Sequence, residues 1–76
     1  MDFPLHKVQV YVRLLNEGTD VFRPTQAIEI GKGLFELMAA PHYDSEGEEW
    51  EFLPGAIVCI EIRHGASGNF PLAIKP

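Results

Sequence analysis

The chain has 76 residues, of which 46% are hydrophobic and 22% charged, and its formal net charge is -5. A chain this short forms one small domain, residues 1–76, that buries only about 60% of its unfolded surface, and the composition excludes a disordered protein. The single cysteine, Cys59, excludes an internal disulfide and a zinc site made of several cysteines, so we expect a reducing, cytoplasmic compartment.

The beginning of the chain, MDFPLHKV, has an acid at its second position and lacks the basic region and apolar run of a secretory signal. The longest apolar runs, such as residues 56–60, are much shorter than the roughly 20 residues of a transmembrane helix. The sequence therefore predicts a soluble protein with no membrane segment.

Residues 5–15, LHKVQVYVRLL, alternate in the manner of a half-buried strand. The predicted inner face carries Val8, Val10, Val12 and Leu14. The predicted outer face carries Lys7, Gln9, Tyr11 and Arg13. Residues 16–20, NEGTD, are turn formers and end this strand.

Residues 21–30 are less regular, because Pro24 removes a ladder donor and so indicates an edge or a bulge. The strand pattern resumes at residues 27–30, where Ile28 and Ile30 are predicted to point inward. Residues 31–33, GKG, predict a tight hairpin turn, since glycine accepts a positive φ.

Residues 34–40, LFELMAA, fit two structures. They are good helix formers, but the run is short before Pro41. The hairpin turn that precedes them favours a strand with Phe35, Leu37 and Ala39 on one face. A helix through Leu34, Leu37 and Met38 is the alternative.

The alternation returns at Glu48 after a polar loop, with Trp50 and Phe52 predicted inward until Pro54-Gly55 turns the chain. Residues 56–64 form the strongest strand pattern, because Val58, Ile60 and Ile62 share one face. Residues 65–69, GASGN, predict a flexible connector before a last short edge strand at residues 70–74.

Five or six short strands, with a turn about every ten residues, predict an all-β fold. We expect a small five- to six-stranded barrel that is Src-homology-three-like, with the 16–26 connection as its large first loop. Closing the barrel hides edges that so short a chain could not otherwise protect.

Two segments, VYVRLLNEGTDVFRP at residues 10–24 and EEWEFLPGAIVCIEIR at residues 48–63, resemble a group of short uncharacterised bacterial proteins. That group carries a V-R-L-L-x-E-G-T-x-V-aromatic-R-P opening and a later E-W-x-F-x-P-G-x-x-V segment. The resemblance implies a small bacterial cytoplasmic protein. It implies no activity and no site residue, because the group has no established function.

The first candidate site is a partner-binding surface on the outer face of the first strand and the turn after it. Its residues are Tyr11, Arg13, Phe22 and Arg23. Arginine and aromatic residues dominate the energetics of protein interfaces, so this combination favours binding to another protein. Alternatively, the two rings cover the barrel end and an arginine pairs with a carboxylate to orient the loop.

The second candidate is an acidic patch that accounts for the net charge, since the other six acids are balanced by the six bases. Its residues are Asp44, Glu46, Glu48, Glu49 and Glu51. Such a patch repels a phosphate backbone, so we expect no nucleic-acid partner. It suits an inhibitor or immunity-type protein that blocks a basic nuclease, toxin or defence effector. Alternatively, the charges only keep the Trp-Phe strand from pairing with other molecules.

The sequence predicts no enzyme, cofactor or metal site. Asp44, Glu46 and Glu48 alternate, but no glycine or closing glutamate stands where an EF-hand loop requires it. The three histidines and Cys59 are too far apart in sequence to indicate zinc. We therefore expect a non-catalytic protein-interaction module with another protein as its partner, or else the acidic inhibitor. A homodimer is a third use of the exposed aromatics.

Overall fold

The computed structural model of the protein describes residues 6–15, 18, 20–39 and 47–76. This part of the chain contains five strands: β1 Lys7–Arg13, β2 Phe22–Gly31, β3 Leu34–Leu37, β4 Ile57–Gly65 and β5 Gly68–Ile74. They form a closed barrel in the order β1-β2-β3-β4-β5. The predicted small all-β barrel is confirmed. Within the same residues there is no helix with the length and apolar character needed to cross a membrane.

The barrel closes where its last strand meets its first. Each step from β1 to β5 is antiparallel, so with five strands the first and last must run in the same direction. The register shows this, because β1 pairs with β5 in parallel at Tyr11 and Leu72. Closure removes exposed sheet edges from the wall at this point.

The inner face of β1 supplies the centre of the core. Val10, Val12 and Leu14 are buried, and Val8 packs against them from a half-buried position, as predicted. The remaining buried core comes from the other strands and from one tryptophan: Ala27, Leu37, Val58, Ala73 and Trp50. The inner face of β1 thus packs against side chains from the other four strands.

The predicted inward face of β2 is wrong. Val10 lies opposite Thr25, and Val8 lies opposite Ala27. Opposite residues share a face, so Thr25 and Ala27 are buried, and the isoleucines that follow them lie on the other face. Ile30 is 50% exposed and Ile28 is only half-buried. The larger apolar side chains suggested the wrong phase, because a period of two cannot decide between faces that both carry apolar residues.

The connection between β1 and β2 is shorter than the predicted 16–26 loop, because β2 begins at Phe22. Pro24 lies within the strand, opposite Tyr11 on β1. The pairing of β2 with β3 begins only at Ala27, so Pro24 occupies a part of β2 that pairs on one side. This agrees with the predicted edge position, where the missing N–H costs no ladder bond.

Two tight hairpins shape the other side of the barrel. β3 follows β2 through the predicted turn, with Gly33 at φ 77°, and the strand is confirmed over the helix. The flexible connector predicted at residues 65–69 is wrong. Ala66 and Ser67 form a two-residue turn between paired Gly65 and Gly68. Gly68 has φ 120°, a conformation that glycine adopts without steric cost, and it lets β5 start at once.

The predicted strand after Glu48 is reduced to a single bridge between Leu14 and Trp50. The predicted burial is nevertheless correct, since Trp50 is 5% exposed and Phe52 packs against the core. Backbone bonds flank the bridge, from Leu15 N–H to the Glu49 carbonyl at 2.7 Å and from Glu51 N–H to the Arg13 carbonyl at 2.9 Å. Because β3 and β4 pair with each other, the segment around Trp50 pairs only with the end of β1.

The strongest predicted strand exists, but its inner face is shorter than expected. Val58 is buried and Ile60 packs against the core, whereas Ile62 is 57% exposed. β4 pairs with β3 only at Ile57 and Val58, and its later residues pair with β5 alone. Ile62 thus lies on a two-stranded hairpin beyond the core, which is why its predicted place in the core is wrong.

Candidate functional site

Three rings meet on the outside of the barrel wall, and we call them the outer aromatic cluster: Tyr11, Phe22 and Phe70. Because Val10 and Val12 face the core, Tyr11 between them faces outward. The Tyr11 and Phe70 rings lie edge to face, with centroids 5.5 Å apart and planes at 76°. The Phe22 and Phe70 centroids are 5.1 Å apart. Phe70 therefore joins the two rings predicted from the first strand and its turn.

Phe70 was not predicted as a site residue, because the sequence does not show that β5 lies beside β1. Leu72 pairs with Tyr11, which brings β5 close to the outer face of β1. Leu72 is 3% exposed yet stands outside the main core cluster, so it supports the outer side of the wall. A Cβ atom added at Gly65 would lie only 3.1 Å from the Phe70 ring. The lack of a side chain at Gly65 therefore makes room for this ring.

A groove of about 430 Å³ opens beside the outer aromatic cluster. Its lining is the three rings and the β4–β5 turn, Gly65, Ala66, Ser67, Gly68 and Asn69. None of these residues carries a formal charge at pH 7. The groove thus offers apolar and neutral polar contacts, and any charge selection must come from residues at its border.

Arg13 does not line the groove itself but lies beside Phe22, which does. It lies opposite Phe22 in the register, and its Cζ is 5.8 Å from the centroid of the Phe22 ring, within the range of a cation–π contact. Its Nε is buried and has no hydrogen-bond partner among the described residues. Leaving a buried donor unsatisfied costs about 1–3 kcal/mol. The sequence-predicted trio of Tyr11, Arg13 and Phe22 is therefore brought together around one groove.

Arg23, the fourth predicted residue of this surface, lies on the other face of β2. It is opposite Val12, whereas its neighbour Phe22 is opposite Arg13. Its Nη2 is 2.6 Å from Glu48 Oε2, and the Trp50 indole N–H donates to Glu48 Oε1 at 3.1 Å. The bonds from Arg23 and Trp50 lower the pKa of Glu48 below its ordinary value of 4.5. Arg23 thus anchors the Trp50 segment, which matches the alternative predicted for one of the arginines.

The acidic patch is divided by this contact. Glu48 holds Arg23 and Trp50, and its side chain is only 17% exposed. Glu49 and Glu51 are exposed on either side of the buried Trp50. Asp44 and Glu46 lie outside the described residues. The described part of the patch therefore presents two carboxylates to solvent.

The other groups considered from the sequence do not converge. His6 lies 3.3 Å from Glu29, His64 bonds to Asn69 at 2.6 Å, and Cys59 is a half-buried free thiol. His42 is outside the described residues. In the described ranges, no three His, Cys, Asp or Glu side chains could together hold a metal ion. A second hollow of about 400 Å³, between β3 and Pro54-Gly55, has Glu36 as its one charged lining residue in this part of the chain.

We compared the chain with protein-family models, curated proteins and solved structures, and found no match in any of the three. We therefore infer the function of the protein from the geometry of the outer aromatic cluster and Arg13.

Proposed function

We propose that the protein is a non-catalytic protein-interaction module that binds its partner through the outer aromatic cluster and Arg13. The observation that carries the proposal is the unpaired, partly covered guanidinium beside an open groove with aromatic walls. Interface hot spots are enriched in tyrosine and arginine because both bury a large contact area and still offer directed polar contacts. A bacterial, cytoplasmic setting completes the proposal, since a lone thiol suits a reducing compartment.

The barrel core does not depend on the three rings of the outer aromatic cluster. The core is formed on the opposite face of β1, and its valines are fully buried without help from Tyr11 or Phe22. All three rings remain half-buried on the surface, where a partner could cover them. Rigid aromatic side chains already held by each other lose little entropy on binding.

A comparative pull-down tests the proposal. The tagged wild-type protein and its Tyr11→Ala and Arg13→Ala variants are incubated with a lysate of the source organism, and captured proteins are quantified by mass spectrometry. We expect one partner or a small set to be captured by the wild type and reduced at least tenfold by each substitution. Truncation of a hot-spot residue costs about 2 kcal/mol or more, and about 1.4 kcal/mol already corresponds to a tenfold loss of affinity.

Arg23→Ala and Lys32→Ala are the matched controls, because Arg23 lies on the opposite face of β2 and Lys32 lies in the exposed turn between β2 and β3. Both controls should capture the partner as the wild type does, provided that circular dichroism shows them folded. Capture that survives Tyr11→Ala and Arg13→Ala would overturn the proposal.

The second candidate is an acidic inhibitor that blocks a basic enzyme with Glu49 and Glu51. The Leu14–Trp50 bridge favours it, because the backbone bonds beside that bridge fix the backbone from which both exposed side chains project. Here Glu49→Gln with Glu51→Gln should abolish capture, and the affinity should fall steeply between low and high salt. Binding that is insensitive to salt argues against this candidate.

A further inference from the structure

We infer that the partner segment presents a carboxylate to Arg13 and places an adjacent apolar side chain in the groove. This inference rests on the proposed function and names the chemistry of its ligand. The ligand is an acidic peptide segment, with Asp or Glu beside an aromatic or branched aliphatic residue.

The three arginines of the chain differ in one respect. Arg23 has Glu48 at 2.6 Å, and Arg63 has Glu61 at 3.6 Å. Arg13 has no carboxylate within salt-bridge distance among the described residues, and its Nε has no acceptor of any kind there. The guanidinium beside Phe22 is thus the one that no described carboxylate occupies, and a partner's carboxylate would meet its terminal Nη groups, since Nε is buried.

A carboxylate is the acceptor that this guanidinium fits best. The fork of N–H groups matches two carboxylate oxygens, and such charge-assisted bonds are about twice as strong as neutral ones. The Phe22 ring supports the guanidinium and restricts its orientation. A phosphate fits less well, because this one guanidinium balances only part of a phosphate charge of about −2.

The groove explains why the acid should have an apolar neighbour. Its lining residues have no formal charge, and three of them are aromatic rings. A side chain entering between Phe70 and the 66–67 turn would cover the rings that are now half-buried. Its apolar burial adds to the ion pair, and it removes water from around that pair, which strengthens the electrostatic attraction.

Selection from a displayed library of random dodecapeptides tests this inference, with the full-length wild-type protein as the immobilised target. We expect the enriched peptides to contain Asp or Glu within two positions of an aromatic or aliphatic residue. Fluorescence anisotropy of a labelled selected peptide then gives its affinity. Replacing the acid by its amide should weaken binding by about 10-fold to 100-fold, as expected for a hydrogen bond to a charged group.

A double-mutant cycle identifies Arg13 as the receiving group. Arg13→Met keeps the apolar stem over Phe22 and should weaken the acidic peptide as much as the acid-to-amide change does. In the Arg13→Met protein, the same peptide change should then alter affinity less than twofold. Lys32→Ala, in the exposed turn between β2 and β3, is the control and should bind as the wild type does.

Several results would overturn the inference. Three results would show that the ligand does not present a carboxylate to Arg13. The enriched peptides could be neutral or basic, or a phosphopeptide could bind more tightly than its acidic counterpart. The acid-to-amide change could also weaken binding equally in wild type and Arg13→Met. If such peptides still shift the amide resonances of Tyr11 and Phe70, only this inference fails and the proposed function stands. If no peptide is enriched, or the shifts centre on Glu49 and Glu51, both fail. A dimer in light scattering that Arg13→Met dissolves would make a second copy the occupant instead.

Discussion

The two faces of the same barrel wall carry two apolar clusters of different character. On the inside, Val10, Val12 and Val58 are fully buried and in contact with side chains from across the barrel. On the outside, Tyr11, Phe22 and Phe70 touch each other but remain half-buried around an open groove. The inner cluster is fully buried, whereas the outer aromatic cluster is only partly covered.

This difference follows from the alternation of side chains along a strand. Residues 10 and 12 of β1 face the core, and residues 11 and 13 face outward beside β5. A small barrel can therefore assign folding and binding to alternate positions of one strand. Changes on the inside should alter stability first, and changes on the outside should alter binding first.

The largest effect on stability is expected from the inside. Leu37→Ala truncates one of the largest fully buried side chains and should lower the free energy of unfolding by about 2–5 kcal/mol. Urea denaturation followed by circular dichroism measures this loss. As a control, Leu53→Ala removes an exposed leucine and should change stability by less than about 0.5 kcal/mol. Similar losses for the two variants would contradict the described core.

A smaller loss is expected from Phe70→Ala on the outside. This substitution removes both ring contacts of the outer aromatic cluster, each worth about 0.5–1.5 kcal/mol beyond its area burial. The variant should stay folded while losing the captured partner. If Phe70→Ala destabilised the barrel as much as Leu37→Ala does, the outer aromatic cluster would belong to the core, and the two faces of the wall would not differ in role.

A pH-dependent contribution should come from the contact between Arg23 and Glu48. The folded pKa of Glu48 lies below its ordinary value of 4.5, so the contact stabilises the protein above that pH. The contribution is lost as the pH falls from about 4.5 through the lowered folded value. Wild type should therefore exceed Glu48→Gln in unfolding free energy at pH 7, and the difference should shrink toward zero in acid. A difference that is constant between pH 7 and pH 3 contradicts this.

The smallest effect on stability is expected at Arg13. Arg13→Met removes a buried donor whose lack of an acceptor costs about 1–3 kcal/mol, and it also removes the cation–π contact with Phe22, worth about 0.5–2 kcal/mol. Because these two effects largely offset each other and the apolar stem is kept, the free energy of unfolding should not fall by more than about 0.5 kcal/mol. Thermal unfolding checks this value, while capture of the partner should fall sharply. A strong destabilisation by Arg13→Met would show that the guanidinium serves the fold and not a partner.

Short-range patterns predicted much of this structure. The alternation in residues 5–15 identified the inner face of β1, and the glycines at residues 31–33 identified the hairpin to β3. Those signals are local, since side-chain direction and turn geometry depend on neighbouring residues. The phase of β2 was missed because Ala27 and Thr25 are less apolar than Ile28 and Ile30, and only the register with β1 decides it.

The candidate site was only partly predictable for the same reason. Tyr11, Arg13 and Phe22 are linked by one strand and one antiparallel pair, which local patterns can indicate. Phe70 reaches them through the parallel pairing of the first and last strands, a long-range contact with no local signal. Arg23 was grouped with Arg13 by proximity in sequence, although alternation places them on opposite faces.

We propose that the partner binds the outer face of the barrel wall and not the acidic segment. Amide chemical-shift mapping of the ¹⁵N-labelled protein with its purified partner tests this most directly. We expect large shifts at Tyr11, Arg13, Phe22 and Phe70 and in the 66–67 turn, with Glu49 and Glu51 unchanged. Shifts centred on Glu49 and Glu51, with the outer aromatic cluster unchanged, would contradict it.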